Sequence, residues 1–138
     1  MVSIIPGIEI AAPERTDTSS GSAASPKRLP VLRSSDAMLF VRGTVSTRRG
    51  SAIAGIACGL PIVGREGWET GWPITEAGVA LLPQNEAQGF GPALLRILAD
   101  KESARALAER SRIAYAQYFS WDVIAGQYLD AMSKARSK

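Results

Sequence analysis

Short apolar runs recur along the chain and are separated by polar loops. Three of them, at residues 37–41, 60–63 and 78–82, are nearly continuous, which is typical of strands buried on both faces of a parallel sheet. Between the first two lies a stretch of small residues, about 48–58, whose apolar positions follow a helical period. We therefore predict a strand–loop–helix–strand unit with a right-handed crossover.

The second half of the chain shows helical periodicity. Helices are predicted over residues 86–100 and 101–118, since apolar positions recur there at steps of three and four. In the first of these helices we expect three leucines on the inner side: Leu94, Leu95 and Leu98.

A last helix is predicted after Ser120, a residue type that caps helix starts well. Its apolar positions form one stripe: Trp121, Ile124, Tyr128 and Met132. Such a stripe indicates packing in the core or against a partner.

The first 29 residues differ in composition from the rest. Residues 2–10 could form a short strand, although Pro6 and Gly7 argue against a central position in a sheet. Residues 11–26 are rich in Ser, Thr, Ala and Pro, which favours a flexible segment. The predicted organisation is an irregular segment at 1–29 and an α/β domain at 30–138, a partial Rossmann-like parallel sheet with flanking helices and a C-terminal helical pair.

Composition narrows the class of function. A chain of 138 residues suits one domain, and its net charge of +3 is not concentrated in any long basic run. We therefore expect no nucleic-acid binding, and no apolar run is long enough to span a membrane. Cys58 is the single cysteine, which fits a reducing cytoplasm, and the chain has no histidine. No metal site and no cofactor are expected.

The candidate chemistry lies in the loop after the first predicted strand. Its residues are Ser46, Thr47, Arg48, Arg49, Gly50 and Ser51. The start of a helix offers unpaired N–H groups and partial positive charge, while guanidinium and hydroxyl groups add donors that fit phosphate. The loop therefore predicts an anion site at the carboxyl edge of the sheet. In the alternative interpretation, Ser46 or Thr47 only caps the helix and the arginines are solvated.

The motif Ala-Cys-Gly-Leu-Pro-Ile-Val at 57–63 resembles a signature of the donor-binding domain of GT-B fold glycosyltransferases. The similarity continues through 77–83, the helix around 93–95 and Phe-Ser-Trp at 119–121, and so covers about residues 30–134. The resemblance implies a nucleotide-sugar donor as partner, held through its diphosphate by the loop arginines. It also implies a truncated enzyme, because a complete GT-B fold has two such domains.

The missing domain carries further implications of the same resemblance. In these enzymes the terminal helix crosses onto the first domain, so we expect a companion N-terminal domain or self-association through the C-terminal helix. Many members also use two glutamates to contact the donor, and the matching positions here are Ser46 and Ala54. Neither side chain supplies a carboxylate.

The loop at 65–73 offers replacements for those glutamates. In the resembled family this loop approaches the donor, so Glu66, Glu69 or Thr70 could contact the ribose or sugar; we select Glu69 and Thr70 as candidates. In the alternative interpretation Trp68 and Trp72 pack the loop down and the acids are solvated.

Two functions remain open from the sequence. The first is a glycosyltransferase-like donor-binding domain, inactive as an isolated chain. The alternative is a non-catalytic module that binds a nucleotide or phosphate, or that serves as an interaction module.

Overall fold

A computed structural model of the chain describes residues 2–5, 28–86 and 88–138. Its centre is a parallel sheet of four strands, which lie side by side in chain order. The strands are β1 (Val2–Ile5), β2 (Ala37–Thr44), β3 (Ile62–Arg65) and β4 (Val79–Leu82). The predicted α/β class with a parallel sheet is confirmed, because each of the three apolar runs forms a strand.

The N-terminal strand extends the sheet beyond the predicted domain. β1 pairs with β2 at the edge of the sheet, with Val2 opposite Ala37. An edge position agrees with the proline that follows at position 6. The short strand expected within residues 2–10 thus forms over Val2–Ile5, away from the centre of the sheet, while residues 6–27, which include the segment predicted to be flexible, lie outside the described residues.

The described part of the chain contains five α-helices. They are α1 (Arg28–Arg33), α2 (Gly50–Ala57), α3 (Phe90–Ala99), α4 (Lys101–Ala114) and α5 (Trp121–Arg136). A short 3₁₀ turn (Ile74–Glu76) precedes β4, and a π-helical turn (Tyr115–Phe119) joins α4 to α5. The predicted C-terminal helical pair is therefore α4 and α5.

Alternating side chains of β2 divide the core into two layers. Met38 belongs to the cluster that contains Ile56 of α2, whereas its neighbour Leu39 belongs to the cluster that contains Ile97 of α3. Successive strand residues point to opposite faces, so α2 and α3 cover opposite sides of the sheet. Both layers are apolar, so the side chains on both faces of each strand are apolar. The strand sequences are therefore continuous apolar runs.

The structure corrects the prediction for α3. The helix begins at Phe90 instead of residue 86, in agreement with the low helix propensity of Gly89 and Gly91. Its buried residue is Ile97, while Leu95 and Leu98 are exposed and only Leu94 packs against the core. The predicted inner face was therefore wrong for two of the three leucines.

α4 closes the amino edge of the sheet. The hydroxyl of Ser111 accepts a hydrogen bond from the Gly78 N–H (3.0 Å) and donates one to the Leu60 carbonyl (3.2 Å). Both partners lie just before strands, so α4 is fixed under the amino ends of β3 and β4. A side chain at Gly78 would collide with the Leu107 carbonyl oxygen, so the helix lies directly against the backbone there. The loops after β2 and β3 lie at the opposite, carboxyl edge of the sheet.

The last helix begins as predicted but packs differently. Ser120 caps it, since its hydroxyl accepts a hydrogen bond from the Val123 N–H at 3.4 Å. No residue of α5 is buried. The apolar stripe is therefore exposed. Of the two predicted arrangements, packing in the core is wrong, and packing against a partner stays a prediction.

Within the described residues, no helix has both the length and the apolar content that crossing a bilayer requires.

Candidate functional site

The carboxyl end of β2 is distorted next to the predicted anion loop. Phe40 pairs with Gly64 and the next pair is Thr44 with Arg65, so β2 advances four residues while β3 advances one. Gly43 lies inside this bulge with φ 79°, a left-handed conformation that favours glycine. Bulges of this kind redirect side chains at the ends of strands.

A cleft of about 430 Å³ lies where this bulge meets the start of α2. Its lining residues are Phe40, Arg42, Gly43, Arg48, Arg49, Gly50 and Ser51. Small-molecule sites usually span roughly 300–1,000 Å³, so a ligand the size of a diphosphate group fits. Among the lining side chains in the described part of the chain, three are guanidinium groups and none is a carboxylate, so this part of the cleft is cationic.

The helix start at the cleft is not capped by a side chain. Arg49 is the N-cap residue of α2, and its carbonyl accepts from the N–H groups of Ala52 (2.9 Å) and Ile53 (3.2 Å). The preceding N–H groups, on Gly50 and Ser51, have no acceptor inside the helix and lie at the cleft. The alternative interpretation is therefore wrong in its first part, the capping of this helix by Ser46 or Thr47. Its second part agrees with the structure, since Arg48 and Arg49 are exposed to solvent.

Arg49 lies directly against the strand bulge. A Cβ atom at Gly43 would be 3.1 Å from Nη2 of Arg49, closer than ordinary van der Waals contact. The guanidinium group can occupy this position because residue 43 has no side chain. Glycine at position 43 therefore permits both the left-handed backbone conformation and the close approach of the Arg49 guanidinium group.

The first two residues of the predicted anion loop do not line the cleft. Ser46 is only 1% exposed, and its hydroxyl has no hydrogen-bond partner among the residues that the structure describes. The carbonyl of Ser46 accepts from the Arg49 N–H at 3.1 Å, so the residue forms the turn that leads into α2. Thr47 is exposed beside it. Of the six residues predicted in this loop, the last four line the cleft.

The two candidates from the second loop are engaged in internal contacts. Nη1 of Arg48 lies 2.9 Å from Oε1 of Glu69. The hydroxyl of Thr70 donates to the Val45 carbonyl (2.6 Å) and accepts from the Gly67 N–H (2.9 Å). These bonds hold the loop after β3 beside the loop after β2. Neither Glu69 nor Thr70 is among the residues that line the cleft.

The tryptophans of the second loop differ in their surroundings. Trp68 is 87% exposed, so the interpretation in which it packs the loop down is wrong. Trp72 is also exposed, but its ring meets that of Tyr118 edge-on with a centroid distance of 5.0 Å. Glu66 is exposed, as the solvated alternative predicts.

Sequence reasoning missed three residues of the cleft: Phe40, Arg42 and Gly43. The first strand was predicted to end at residue 41, so Arg42 and Gly43 were assigned to neither the strand nor the site. The available signal was an Arg-Gly pair directly after an apolar run, at the edge where parallel sheets bind ligands.

The remaining polar groups of this region do not add a metal site. The guanidinium carbon of Arg65, at the end of β3, lies 5.2 Å from the ring centre of Phe90 in α3, on the other side of the sheet.

Cys58 lies at the other end of α2, as its C-cap residue. Burial raises the pKa of its thiol, and the nearby charge of Arg33 opposes this effect. Among the described residues no group of three His, Cys, Asp or Glu side chains could hold a metal ion.

The cleft therefore presents exposed guanidinium groups and helix N–H groups, which can attract an anion. Of the described residues that line it, none supplies a carboxylate or imidazole that could move a proton. Comparisons of the chain with protein-family models, with curated proteins and with solved structures found no match.

Proposed function

We propose that the cleft binds the diphosphate of a nucleotide or a nucleotide sugar. The observation that carries this proposal is the meeting of three arginines, Arg42, Arg48 and Arg49, with the uncapped start of α2 at one cleft. Guanidinium groups bind phosphate oxygens through two parallel hydrogen bonds, and a helix start adds N–H donors and partial positive charge. Diphosphate groups are the anions that use such an array most fully.

The ion pair between Arg48 and Glu69 is compatible with ligand binding. The side chain of Arg48 is 77% exposed, and exposed ion pairs contribute less than about 1 kcal/mol. A diphosphate can therefore take over the contact with Arg48 at a small cost.

The resemblance to GT-B donor-binding domains suggests which diphosphate the cleft binds. In this proposal the chain is a glycosyltransferase-like donor-binding domain, and Arg48 and Arg49 hold the diphosphate of a nucleotide-sugar donor. Their positive charge would stabilise the diphosphate leaving group as the glycosidic bond breaks. Glu69 and Thr70 could accept hydrogen bonds from a ribose or sugar, because Oε2 of Glu69 and one lone pair of the Thr70 hydroxyl are not used by their contacts with Arg48, Val45 and Gly67.

A non-catalytic nucleotide- or phosphate-binding module is the second candidate. It is favoured by the internal engagement of Glu69 and Thr70, and by a cleft lining without any group suited to proton transfer. We therefore expect the chain alone to bind a diphosphate without transferring a sugar.

Calorimetric titration tests both candidates. Pyrophosphate, nucleoside diphosphates and nucleotide sugars are titrated into the whole chain, into Arg48→Ala and Arg49→Ala, and into a matched control, Arg96→Ala, at an exposed position of α3. We expect each cleft variant to weaken binding about tenfold or more, since bonds to charged groups are worth about 1.5–3 kcal/mol. The control should bind like the unchanged chain.

Transfer or hydrolysis of a nucleotide sugar by the same samples would favour the enzyme over the module. Binding without turnover would favour the module. A folded chain that binds none of these ligands, or whose cleft variants bind as well as the control, would refute the proposed site.

A further inference from the structure

A row of large apolar side chains on α5 is exposed. We name this row the α5 stripe, and its members are Trp121, Ile124, Tyr128, Leu129 and Met132. Trp121 is 79% exposed and Tyr128 is 68% exposed, although aromatic side chains of this size are usually covered. The helix packs mainly against the turn Tyr115–Phe119, so most of its length has no neighbour among the described residues.

Charges lie at the two ends of the same helix with opposite signs. Asp122 is in the first turn, and Lys134 and Arg136 are in the last turn. Asp122 and Arg136 are about four helical turns apart, so both lie on the same flank of the α5 stripe. One flank of the stripe is therefore negative at its start and positive at its end.

This distribution is complementary to itself when two copies of α5 run antiparallel. Tyr128 lies at the middle of α5, so a two-fold axis beside it pairs the helix with an antiparallel copy. Ile124 then faces Met132 of the second copy. Asp122 comes level with residue 134 of the second copy, so it lies about 3 Å along the helix axis from the level of that copy's Arg136 and on the same flank. A parallel pair would instead bring like charges to the same height at both ends.

We propose that α5 is a self-association surface through which two copies of this chain pair antiparallel. The α5 stripe is covered by the stripe of the second copy, and each Asp122 forms an ion pair with the second copy's Arg136. The antiparallel arrangement also opposes the two helix dipoles favourably. A membrane surface fits the helix less well, because an acidic residue borders the stripe where a membrane-binding helix carries basic ones. The proposal does not depend on the anion cleft.

Charge reversal combined with sedimentation equilibrium tests the pairing. We expect Asp122→Arg and Arg136→Asp each to raise the dimer dissociation constant about fivefold to tenfold, because two ion pairs become repulsive contacts. The double variant, with both reversals, should restore the original constant. Asp130→Arg is the control, since residue 130 lies on the side of α5 opposite Tyr128 and should leave the constant unchanged.

Cysteine cross-linking fixes the orientation of the two helices. In a Cys58→Ala background, Tyr128→Cys should cross-link to itself through a short bifunctional reagent, because the residue lies at the two-fold axis. Ala135→Cys should not, because antiparallel pairing places the two copies of residue 135 about 21 Å apart. A chain that stays monomeric at every concentration, or cross-links at residue 135 but not at 128, would overturn the proposal. Failure of the double variant to restore the dimer would also overturn it.

Discussion

Arg48 and Glu69 join the two loops at the carboxyl edge of the sheet, with 2.9 Å between Nη1 and Oε1. Arg48 lines the cleft and Glu69 does not, so the carboxylate holds a cation that a bound anion would also use. Two alternative roles for Glu69 toward a ligand are consistent with this ion pair. In the first it competes with the ligand for Arg48, and in the second it contacts the ligand directly.

Replacing Glu69 with glutamine distinguishes these roles. We expect Glu69→Gln to tighten the binding of pyrophosphate about twofold to fivefold, since the competing exposed ion pair is worth less than about 1 kcal/mol. Glu66→Gln, an exposed change in the same loop, is the control for the altered net charge. Calorimetry provides the measurement. Weaker binding of a nucleotide sugar by Glu69→Gln, with pyrophosphate binding unchanged, would instead support the sugar contact predicted from the sequence.

Gly43 should be needed for both stability and binding. An alanine at this position would adopt φ 79° at a cost of about 1–2 kcal/mol, and its Cβ would crowd Nη2 of Arg49 at 3.1 Å. We expect Gly43→Ala to lower the urea midpoint and to weaken anion binding. Gly71→Ala is the matched control, because no atom lies within 4 Å of a Cβ built there. Equal behaviour of the two variants would contradict the close approach of Arg49 to the strand bulge.

The contact of α4 with the sheet predicts a severe effect at Gly78. A Cβ atom at this position collides with the Leu107 carbonyl and crowds the hydroxyl of Ser111, so the helix must move away from the strands. We expect Gly78→Ala to cost more than about 3 kcal/mol of unfolding free energy or to prevent folding. Gly91→Ala meets no atom within 4 Å and should change stability by less than about 1 kcal/mol. Thermal and urea unfolding followed by circular dichroism measure both; a mild effect at Gly78 would refute the packing of α4 described above.

The positions of the strands and helices could be predicted from the sequence more accurately than the contacts between them. The apolar runs at 37–41, 60–63 and 78–82 each became a strand, because a strand covered on both faces must be apolar throughout. The faces of the surface helices were harder to predict. Leu95 and Leu98 are apolar and were therefore expected on the inner face of α3. The helix packs over β2 and β3 in an orientation that buries Ile97 instead.

Prediction of the candidate site was partial for a similar reason. Arg48 and Arg49 could be identified because they precede a helix after a buried strand. Arg42 was missed. The Arg-Gly pair after the apolar run was the only local signal for it, and its place at the cleft depends on a bulge in β2 that forms where β2 pairs with β3, about twenty residues further along the chain. The internal bonds of Thr70 depend likewise on the approach of two loops, which no local pattern encodes.

The start of α4 predicts a specific dependence of stability on pH. Asp100 caps this helix, and the hydroxyl of Ser103, followed by the N–H groups of Ser103 and Glu102, lowers the pKa of its carboxyl below the ordinary 3.8. A lowered pKa in the folded state means that the ionised cap stabilises the protein above pH 3.8 and that this stabilisation is lost as the pH falls through the folded-state pKa. Asp100→Asn removes the titration and serves as the comparison. The difference between the two urea midpoints should be constant at neutral pH and shrink at acid pH; a difference independent of pH would contradict the assignment.

The central claim, that an anion binds where the bulge of β2 meets the start of α2, is tested most directly by nuclear magnetic resonance. Pyrophosphate is titrated into the ¹⁵N-labelled chain and the amide shifts are followed residue by residue. We predict that the largest shifts occur at Gly43, Arg49, Gly50 and Ser51, and that they disappear in the variant with both Arg48→Ala and Arg49→Ala. Largest shifts elsewhere, for example along α5, or a folded chain whose spectrum does not change, would contradict the account.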